Sequence, residues 1–156
     1  MTPIRGVTRT LLCDASFDQC FQVAAIAVCE GTGQQRGTLL AGDVIPVNST
    51  TEAELHAILR ACSLLAGGRE TGALIFTDCQ QAAVKAARPG SNVVALDVQA
   101  ALLARDSTLR LVNRGAVKPS DRAARAMRLA WVAGNRHEPT YRPRPYLSRK
   151  RGVAAA

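Results

Sequence analysis

The sequence lacks the cysteine spacing that marks disulfide-rich or zinc-binding proteins. Its five cysteines are odd in number, and no two of them form a Cys-x-x-Cys pair. A disulfide framework needs paired cysteines, and a structural zinc site usually draws on closely spaced thiolates. The sequence thus argues against both classes, and we expect the cysteines to act as small buried or half-buried hydrophobic side chains. They are Cys13, Cys20, Cys29, Cys62 and Cys79.

Long apolar runs are also missing, although hydrophobic residues make up 47% of the chain. Charged residues or glycine interrupt the apolar runs well before the roughly 18 residues that a membrane-spanning helix needs. The first ten residues, MTPIRGVTRT, contain no apolar core of the kind found in signal peptides. These absences predict a cytoplasmic protein that is neither inserted in a membrane nor secreted. The hydrophobic content is sufficient for one packed domain.

Acidic residues are scarce relative to basic ones. Twelve Asp and Glu stand against 20 Lys and Arg, which gives a formal net charge of +8. This excess favours a polyanionic partner, because basic side chains release counterions from phosphate backbones. Composition alone does not separate nucleic acid from an anionic membrane surface.

The positive charge is concentrated at the carboxyl end. Residues 135–156 hold five Arg and one Lys against one Glu, so they carry +5 and leave +3 for residues 1–134. The same stretch has three prolines and no hydrophobic period. We therefore divide the chain into a domain of residues 1–134 and a basic, Pro- and Arg-rich flexible tail of residues 135–156.

The spacing of apolar residues predicts an α/β domain. Three short β-compatible segments come first, and three consecutive antiparallel strands are their simplest arrangement. Ser49 with Glu52 three residues later is a capping-box signature for the first helix, and the apolar run after that helix predicts a buried strand parallel to the first. The predicted strands are residues 8–14, 22–29, 37–47, 72–78 and 107–113, and the later helices are residues 79–88, 92–105 and 120–132. The order β-β-β-α-β-α-α-β-α describes a five-stranded mixed sheet with flanking helices.

Glycines supply the expected interruptions. Gly67 and Gly68 are expected to end the first helix, and Gly134 the last one. Gly42 is a candidate bulge in the third strand.

Four acidic residues fall where the ends of these elements would meet. Asp14 closes the first predicted strand, Glu54 lies in the first turn of the first helix, Asp78 closes the fourth strand and Asp121 opens the last helix. Strand ends of an open α/β sheet form a crevice where ligands bind. Two carboxylates about 4 Å apart repel by roughly 4 kcal/mol at an effective dielectric near 20, so such a cluster requires raised pKa values or bound cations. Hard oxygen ligands in this number suit Mg²⁺ or Mn²⁺, and two such ions can stabilise the attacking and leaving oxygens of a phosphodiester displacement.

Each acid also has a purely structural interpretation. A single aspartate at a strand end is commonly a turn or cap residue, and Asp121 could stabilise a helix dipole by about 0.3 to 1 kcal/mol. Glu52 is better explained as the capping partner of Ser49 than as a metal ligand. The occurrence of all four acids in this topology favours the metal site.

Four motifs in order resemble those of the ribonuclease H family. RTLLCDAS (residues 9–16) is similar to its first-strand motif, NSTTEAELHAI (48–58) to its helix motif, and IFTDCQQA (75–82) to its fourth-strand Thr-Asp-Ser/Cys motif. SDRAARAMR (120–128) is similar to its closing Asp-x-x-Ala-Arg helix. The resemblance covers roughly residues 8–132.

The resemblance implies a ribonuclease H-like fold and a metal-dependent endonuclease that cuts the RNA strand of RNA–DNA hybrids with two Mg²⁺ or Mn²⁺ ions. We expect the protein to be a monomer. By position, the catalytic metal ligands would be Asp14, Glu54, Asp78 and Asp121. The residues that would contact the sugar or backbone of the hybrid are Ser16, Ser49, Thr50, Thr51 and Gln80, whose hydroxyl and amide groups suit a 2′-hydroxyl.

The sequence departs from the family in two places. The loop of residues 113–120 lacks the histidine that many members carry, and Arg114 or Lys118 is expected to act there electrostatically. The basic helical insertion of some members is also missing, and the tail is a candidate replacement. Two alternatives remain open: a ribonuclease H-like nuclease for another substrate such as a DNA junction, and a non-catalytic nucleic-acid-binding module.

Overall fold

A computed structural model describes residues 8–65 and 72–136. It contains one five-stranded sheet in the order β3-β2-β1-β4-β5, with four helices. The strands are β1 (Thr10–Asp18), β2 (Val23–Glu30), β3 (Leu39–Pro46), β4 (Leu74–Thr77) and β5 (Thr108–Leu111). The helices are α1 (Thr50–Leu64), α2 (Gln80–Ala87), α3 (Val93–Ala104) and α4 (Lys118–Asn135), and single 3-10 turns cover Gly33–Gln35 and Arg114–Val117.

The sheet is mixed, as the sequence predicts. β1 pairs antiparallel with β2, and β2 antiparallel with β3. β4 lies on the other side of β1 and runs parallel both to it and to β5. The predicted element order is confirmed, and β1 occupies the middle of the sheet.

The two faces of the sheet are covered by different helices. The main core lies on one face, where α1, α2 and α3 pack against Leu11 and Cys13 of β1. On the other face, α4 packs Ala124 and Met127 against small residues of β2. Because side chains alternate along a strand, the odd-numbered residues of β1 face the main core and its even-numbered residues face α4.

The capping box of α1 is present. Ser49 is the N-cap, and its hydroxyl accepts a hydrogen bond from the Glu52 backbone N–H at 3.1 Å. The Glu52 carboxylate accepts a hydrogen bond from the Asn48 backbone N–H at 2.6 Å. Glu52 is therefore engaged at the start of the helix, which confirms its assignment as a capping residue.

The first strand is longer than predicted. Asp14 was expected to close it, but β1 continues to Asp18 and pairs with β2 along its whole second half. The sequence prediction left residues 15–21 between the first two strands, whereas Ala15 and Phe17 pack against a small apolar cluster and so follow strand alternation. Asp14 lies within the strand, not at its end.

Two glycine predictions were wrong. Gly42 pairs regularly with Ala27, and the irregularity between β2 and β3 falls at Val28 and Cys29. A Cβ at position 42 would lie 2.7 Å from the sulfur of Met127, so the glycine allows α4 to approach β3 closely. Gly134 lies inside α4, which extends to Asn135.

Some sequence predictions fall on residues that the structure does not describe. Gly67 and Gly68, and nearly all of the basic tail, lie outside the described residues. Within the described part, none of the helices combines the length and the apolar character needed to cross a bilayer.

Candidate metal centre and adjoining groove

Asp14 and Asp78 are brought together by the register between β1 and β4. The two strands pair over only three residues, of which the last pair is Leu12 opposite Phe76. Continuing this parallel register by two residues sets Asp14 beside Asp78. Because β4 stops at Thr77, both carboxyl groups lie where the sheet opens next to β1.

Glu54 enters the same place from α1. It lies just past the first turn, in which it was predicted to lie, since α1 begins at Thr50 and the acidic residue of the first turn is Glu52. Ala57, Ile58 and Ala61 follow Glu54 at helical spacing and are buried against the sheet. Glu54 therefore continues the buried face of α1 and points towards β1, with only 6% of its surface exposed.

The three carboxyl groups form a compact cluster. Asp14, Glu54 and Asp78 each offer one carboxylate oxygen, and these atoms all lie within 4.8 Å of one another. Asp14 is 3% exposed, whereas Asp78 is half-buried. The cluster thus has two buried members and one at its edge, a set that could hold a metal ion.

The environment of the cluster favours protonated carboxyl groups when no cation is bound. Burial, the charge of Asp78 and a hydrogen bond with Asp121 raise the pKa of Asp14 from 3.8 to about 7, against opposing hydrogen bonds from the Ala15 backbone and from Glu54. Burial, followed by the charge of Asp14, a hydrogen bond with it and the charge of Asp78, raises the pKa of Glu54 from 4.5 to about 10. Ionising these groups is costly without a compensating positive charge.

One oxygen of the cluster has no partner in the described part of the chain. The Oε1 atom of Glu54 is buried and makes no hydrogen bond. A buried acceptor left unsatisfied costs about 1 to 3 kcal/mol, more when it is charged. A divalent cation would satisfy this oxygen and neutralise its neighbours, and an all-oxygen donor set is what hard divalent cations bind. The residues therefore fit a divalent metal ion.

Asp121 borders the cluster on the α4 side of the sheet, whereas Glu54 reaches it from α1 on the other side. Asp121 lies in the first turn of α4 and shares a hydrogen bond with Asp14. Its carboxylate also pairs with Arg125, one turn later, at 3.3 Å. The structure thus brings three of the four predicted acids into one group and sets the fourth beside it, in contact with both Asp14 and an arginine.

The start of α4 is attached directly to β1. The Ser120 hydroxyl is fully buried and donates a hydrogen bond of 2.6 Å to the Leu12 carbonyl, two residues before Asp14. This contact fixes the start of α4 against β1, and therefore fixes the position of Asp121 relative to the cluster.

Replacing Ser120 by alanine is therefore expected to destabilise the fold. The loss of one buried hydrogen bond should lower the free energy of unfolding by about 1 kcal/mol. Chemical denaturation of wild type and Ser120→Ala checks this value. Ser107→Ala, which removes a half-buried hydroxyl bonded to the Arg105 carbonyl two residues away, serves as the control and should cost less. Equal stability of wild type and Ser120→Ala would contradict the assignment.

An open groove of about 790 Å³ adjoins the cluster, with Asp121 in its wall. Its walls come from the second half of β1, the start of α1 and the exposed side of α4. Three predicted substrate contacts, Ser16, Ser49 and Thr50, line it. Thr51 is half-buried in the first turn of α1, and Gln80 is exposed at the start of α2; neither lines the groove.

The groove also contains arginines that the sequence interpretation did not assign to substrate. Arg125 and Arg128 follow Asp121 by four and seven residues, so helical spacing places all three on one face of α4. That spacing is the signal that could have identified them. Arg114, expected to act electrostatically near the last aspartate, lies in the same groove.

The cysteines behave as predicted. All five lie in the described part of the chain and are free, with Cys13, Cys29 and Cys62 buried and Cys20 and Cys79 half-buried. Burial raises the pKa of the Cys13 thiol, and nearby Cys62 and Glu54 add to the effect. This thiol next to the cluster is therefore kept neutral.

Comparison with known proteins identifies the architecture. No family model matches the sequence, and no curated protein matches it. Among solved structures, the chain is similar to RNase H1 from the halophilic archaeon Halobacterium salinarum, with a TM-score of 0.67 and 16% identity over 80% of this chain and 99% of that one. It is also similar to the N-terminal RNase H domain of a Mycobacterium tuberculosis protein, solved as a maltose-binding-protein fusion, with a TM-score of 0.65 and 16% identity over 83% and 99% of the two chains.

A third similar structure is LC11-RNase H1, isolated from compost by a metagenomic approach. Its TM-score is 0.61, with 14% identity over 78% of this chain and 98% of that one. The three neighbours, the mixed sheet and its strand order agree, and the chain has a ribonuclease H-like fold.

Proposed function

We propose that the chain is a metal-dependent endonuclease that hydrolyses the RNA strand of RNA–DNA hybrids, leaving a 3′-hydroxyl and a 5′-phosphate. The observation that carries this proposal is the convergence of Asp14, Glu54 and Asp78 beside an open, arginine-lined groove. The same convergence on a ribonuclease H-like fold argues against a purely structural role for the acids, because buried, mutually repelling carboxylates cost stability unless a cation binds them.

In this proposal Asp14, Glu54, Asp78 and Asp121 hold two divalent ions, Mg²⁺ or Mn²⁺. When bound, such ions lower the pKa of a coordinated water and offset the charge that develops on a phosphodiester during hydrolysis. The buried pair Asp14 and Glu54 fixes one side of the site, and the half-buried Asp78 faces its open side. Asp121, tied to Arg125, closes the site on the α4 side.

The remaining predicted site residues position the substrate. Ser16, Ser49 and Thr50 present hydroxyl groups to the groove, where they can bond the sugar and backbone of one strand. Thr51 and Gln80 lie near the starts of α1 and α2 and are assigned to the backbone as well. A 2′-hydroxyl both donates and accepts hydrogen bonds, which makes hydroxyl and amide groups suitable for recognising RNA.

A cleavage assay with end-labelled substrates tests the proposal. RNA–DNA hybrid, duplex RNA, duplex DNA and a branched DNA junction are each incubated with the protein in Mg²⁺, in Mn²⁺ and in chelator. We expect cleavage of the RNA strand of the hybrid alone, and only with metal. Asp78→Asn should abolish it, whereas Asp97→Asn, which changes an exposed carboxylate on α3, should retain it.

Other results would assign a different function. Metal-dependent cleavage of the junction would indicate a nuclease with another substrate. Tight hybrid binding without cleavage in either metal would indicate a non-catalytic binding module. Both results would contradict the proposal.

A further inference from the structure

The groove beside the acidic cluster is positively charged, although the cluster itself is negative. Three arginines line it, Arg114 in the 3-10 turn and Arg125 and Arg128 on α4, and Asp121 is the one carboxylate among its lining residues. Opposite signs of charge therefore lie side by side along the same surface. An anion would be attracted to the groove even when the cluster repels it.

Arg128 is held in a defined position in the lining of this groove. Its Nε atom donates a hydrogen bond of 2.6 Å to the Ser16 hydroxyl, a contact that joins residues 112 positions apart. Its Nη1 atom lies 4.0 Å from a carboxylate oxygen of Asp18. The side chain is 23% exposed, and its Nη2 atom has no hydrogen-bond partner among the described residues. The guanidinium is thus preordered with donors left for a ligand.

The position of this guanidinium relative to the cluster follows from strand geometry. Ser16 is two residues after Asp14 in β1, so both side chains project from the same face and lie about 7 Å apart along the strand. Through Ser16, Arg128 therefore contacts β1 at the next residue on the same face after Asp14. A ligand that reaches both must extend along the groove, as a polymer backbone does.

The other two arginines extend the same surface. Arg125 pairs with Asp121 at 3.3 Å but keeps 53% of its side chain exposed. Arg114 is exposed and forms no ion pair with a carboxylate in residues 8–65 and 72–136. Guanidinium groups offer several fixed donors that match the oxygens of a phosphate, which a compact ammonium group does not.

We propose that Arg128, together with Arg114 and Arg125, forms a binding site for a backbone phosphate of a nucleic-acid strand, next to the acidic cluster and independent of metal. The inference rests on the proposed function in that the strand held here would be the one presented to Asp14, Glu54 and Asp78. Arg128 acts as a positioning residue: its bond to Ser16 occupies one lone pair of that hydroxyl and leaves its proton free to be donated to the same strand.

The test measures binding without turnover. A fluorescently labelled RNA–DNA hybrid is titrated with the full chain in chelator, over a series of KCl concentrations, and the slope of log affinity against log salt is determined. Arg128→Gln should weaken binding by about tenfold and lower the magnitude of the slope by about 0.9, the value for one lost phosphate contact. Arg122→Gln removes the same charge from an exposed position on α4 outside the groove and should keep the wild-type slope.

Arg114→Gln is a second groove variant, for the case in which Arg128→Gln has a folding defect. Arg114 makes no ion pair or hydrogen bond through its side chain within the described residues, so its replacement should leave thermal stability unchanged while lowering the slope. If Arg128→Gln does not fold, the salt slope measured for Arg114→Gln decides whether the groove binds a phosphate. Identical affinity and slope for the groove variants and Arg122→Gln would overturn the proposal.

The outcome is separable from that of the cleavage assay. If the slopes change as expected but no substrate is cleaved in metal, the nuclease proposal fails and the phosphate site stands. If the hybrid is cleaved but the groove variants match Arg122→Gln, the phosphate site fails and the nuclease proposal stands. A kinetic readout adds to this: in an active enzyme Arg128→Gln should raise KM more than it lowers kcat.

Discussion

Asp14→Asn is expected to lower metal-dependent cleavage of the hybrid by about a thousandfold or more, measured as kcat/KM. Asp14 is the most buried acid of the cluster and the one that contacts both Glu54 and Asp121. Asparagine has nearly the same shape but lacks the negative charge, so the site would lose several kcal/mol of cation binding and charge stabilisation, and each 1.4 kcal/mol corresponds to tenfold in rate.

The fold and the substrate affinity should survive this change. Circular dichroism and thermal unfolding of Asp14→Asn should match wild type or show a gain, because a buried carboxyl group with a raised pKa is removed. Hybrid binding in chelator should be at least as tight as in wild type, since the variant lacks a carboxylate that would repel the phosphates. Cleavage within tenfold of wild type would mean that Asp14 is not a metal ligand.

The second large effect concerns pH and the stability of the metal-free protein. The pKa of Glu54 is raised from 4.5 to about 10, chiefly by burial and then by Asp14. Above pH 4.5 the unfolded chain releases this proton while the folded chain keeps it, so the folded state binds more protons. The stability of wild type should therefore fall as pH rises from about 5 towards 10, through the contribution of this group.

Glu54→Gln removes this titration and should stabilise the metal-free protein at alkaline pH. We expect its Tm to match that of wild type near pH 5 and to exceed it by about 3 °C or more near pH 9, in chelator. Thermal unfolding across this range checks both points. Mg²⁺ or Mn²⁺ should raise the Tm of wild type but not that of the variant, because the cation binds only the folded, carboxylate-bearing cluster.

The control for this experiment is Glu52→Gln, which alters a glutamate on the same helix that caps its start. The Tm difference between Glu52→Gln and wild type should not grow with pH. A Tm difference between Glu54→Gln and wild type that stays constant with pH would contradict the assignment of a buried, proton-retaining carboxyl group.

The sequence was sufficient for the element order because local signals agreed with the global fold. The Ser49–Glu52 box and the apolar run before Asp78 both depend on neighbours in the chain. The sequence did not predict that β1 extends beyond Asp14. Ala15 and Phe17 face the same apolar cluster only because this segment pairs with β2.

The arrangement of the site was predicted in part. The motif order suggested which acids meet, and the parallel register accounts for Asp14 and Asp78. The contact of Arg128 with Ser16 and the unpartnered oxygen of Glu54 depend on tertiary packing between distant segments, which no local pattern encodes. The same holds for the close approach of Met127 to Gly42.

The central claim is that three acids from β1, α1 and the end of β4 form one cation site. Anomalous X-ray scattering from a crystal of the protein soaked in Mn²⁺ tests it most directly. We predict an anomalous peak at coordination distance from the carboxylates of Asp14, Glu54 and Asp78, and its loss in Asp78→Asn. A fully soaked crystal with no peak between these residues, or with manganese bound only elsewhere, would contradict the account.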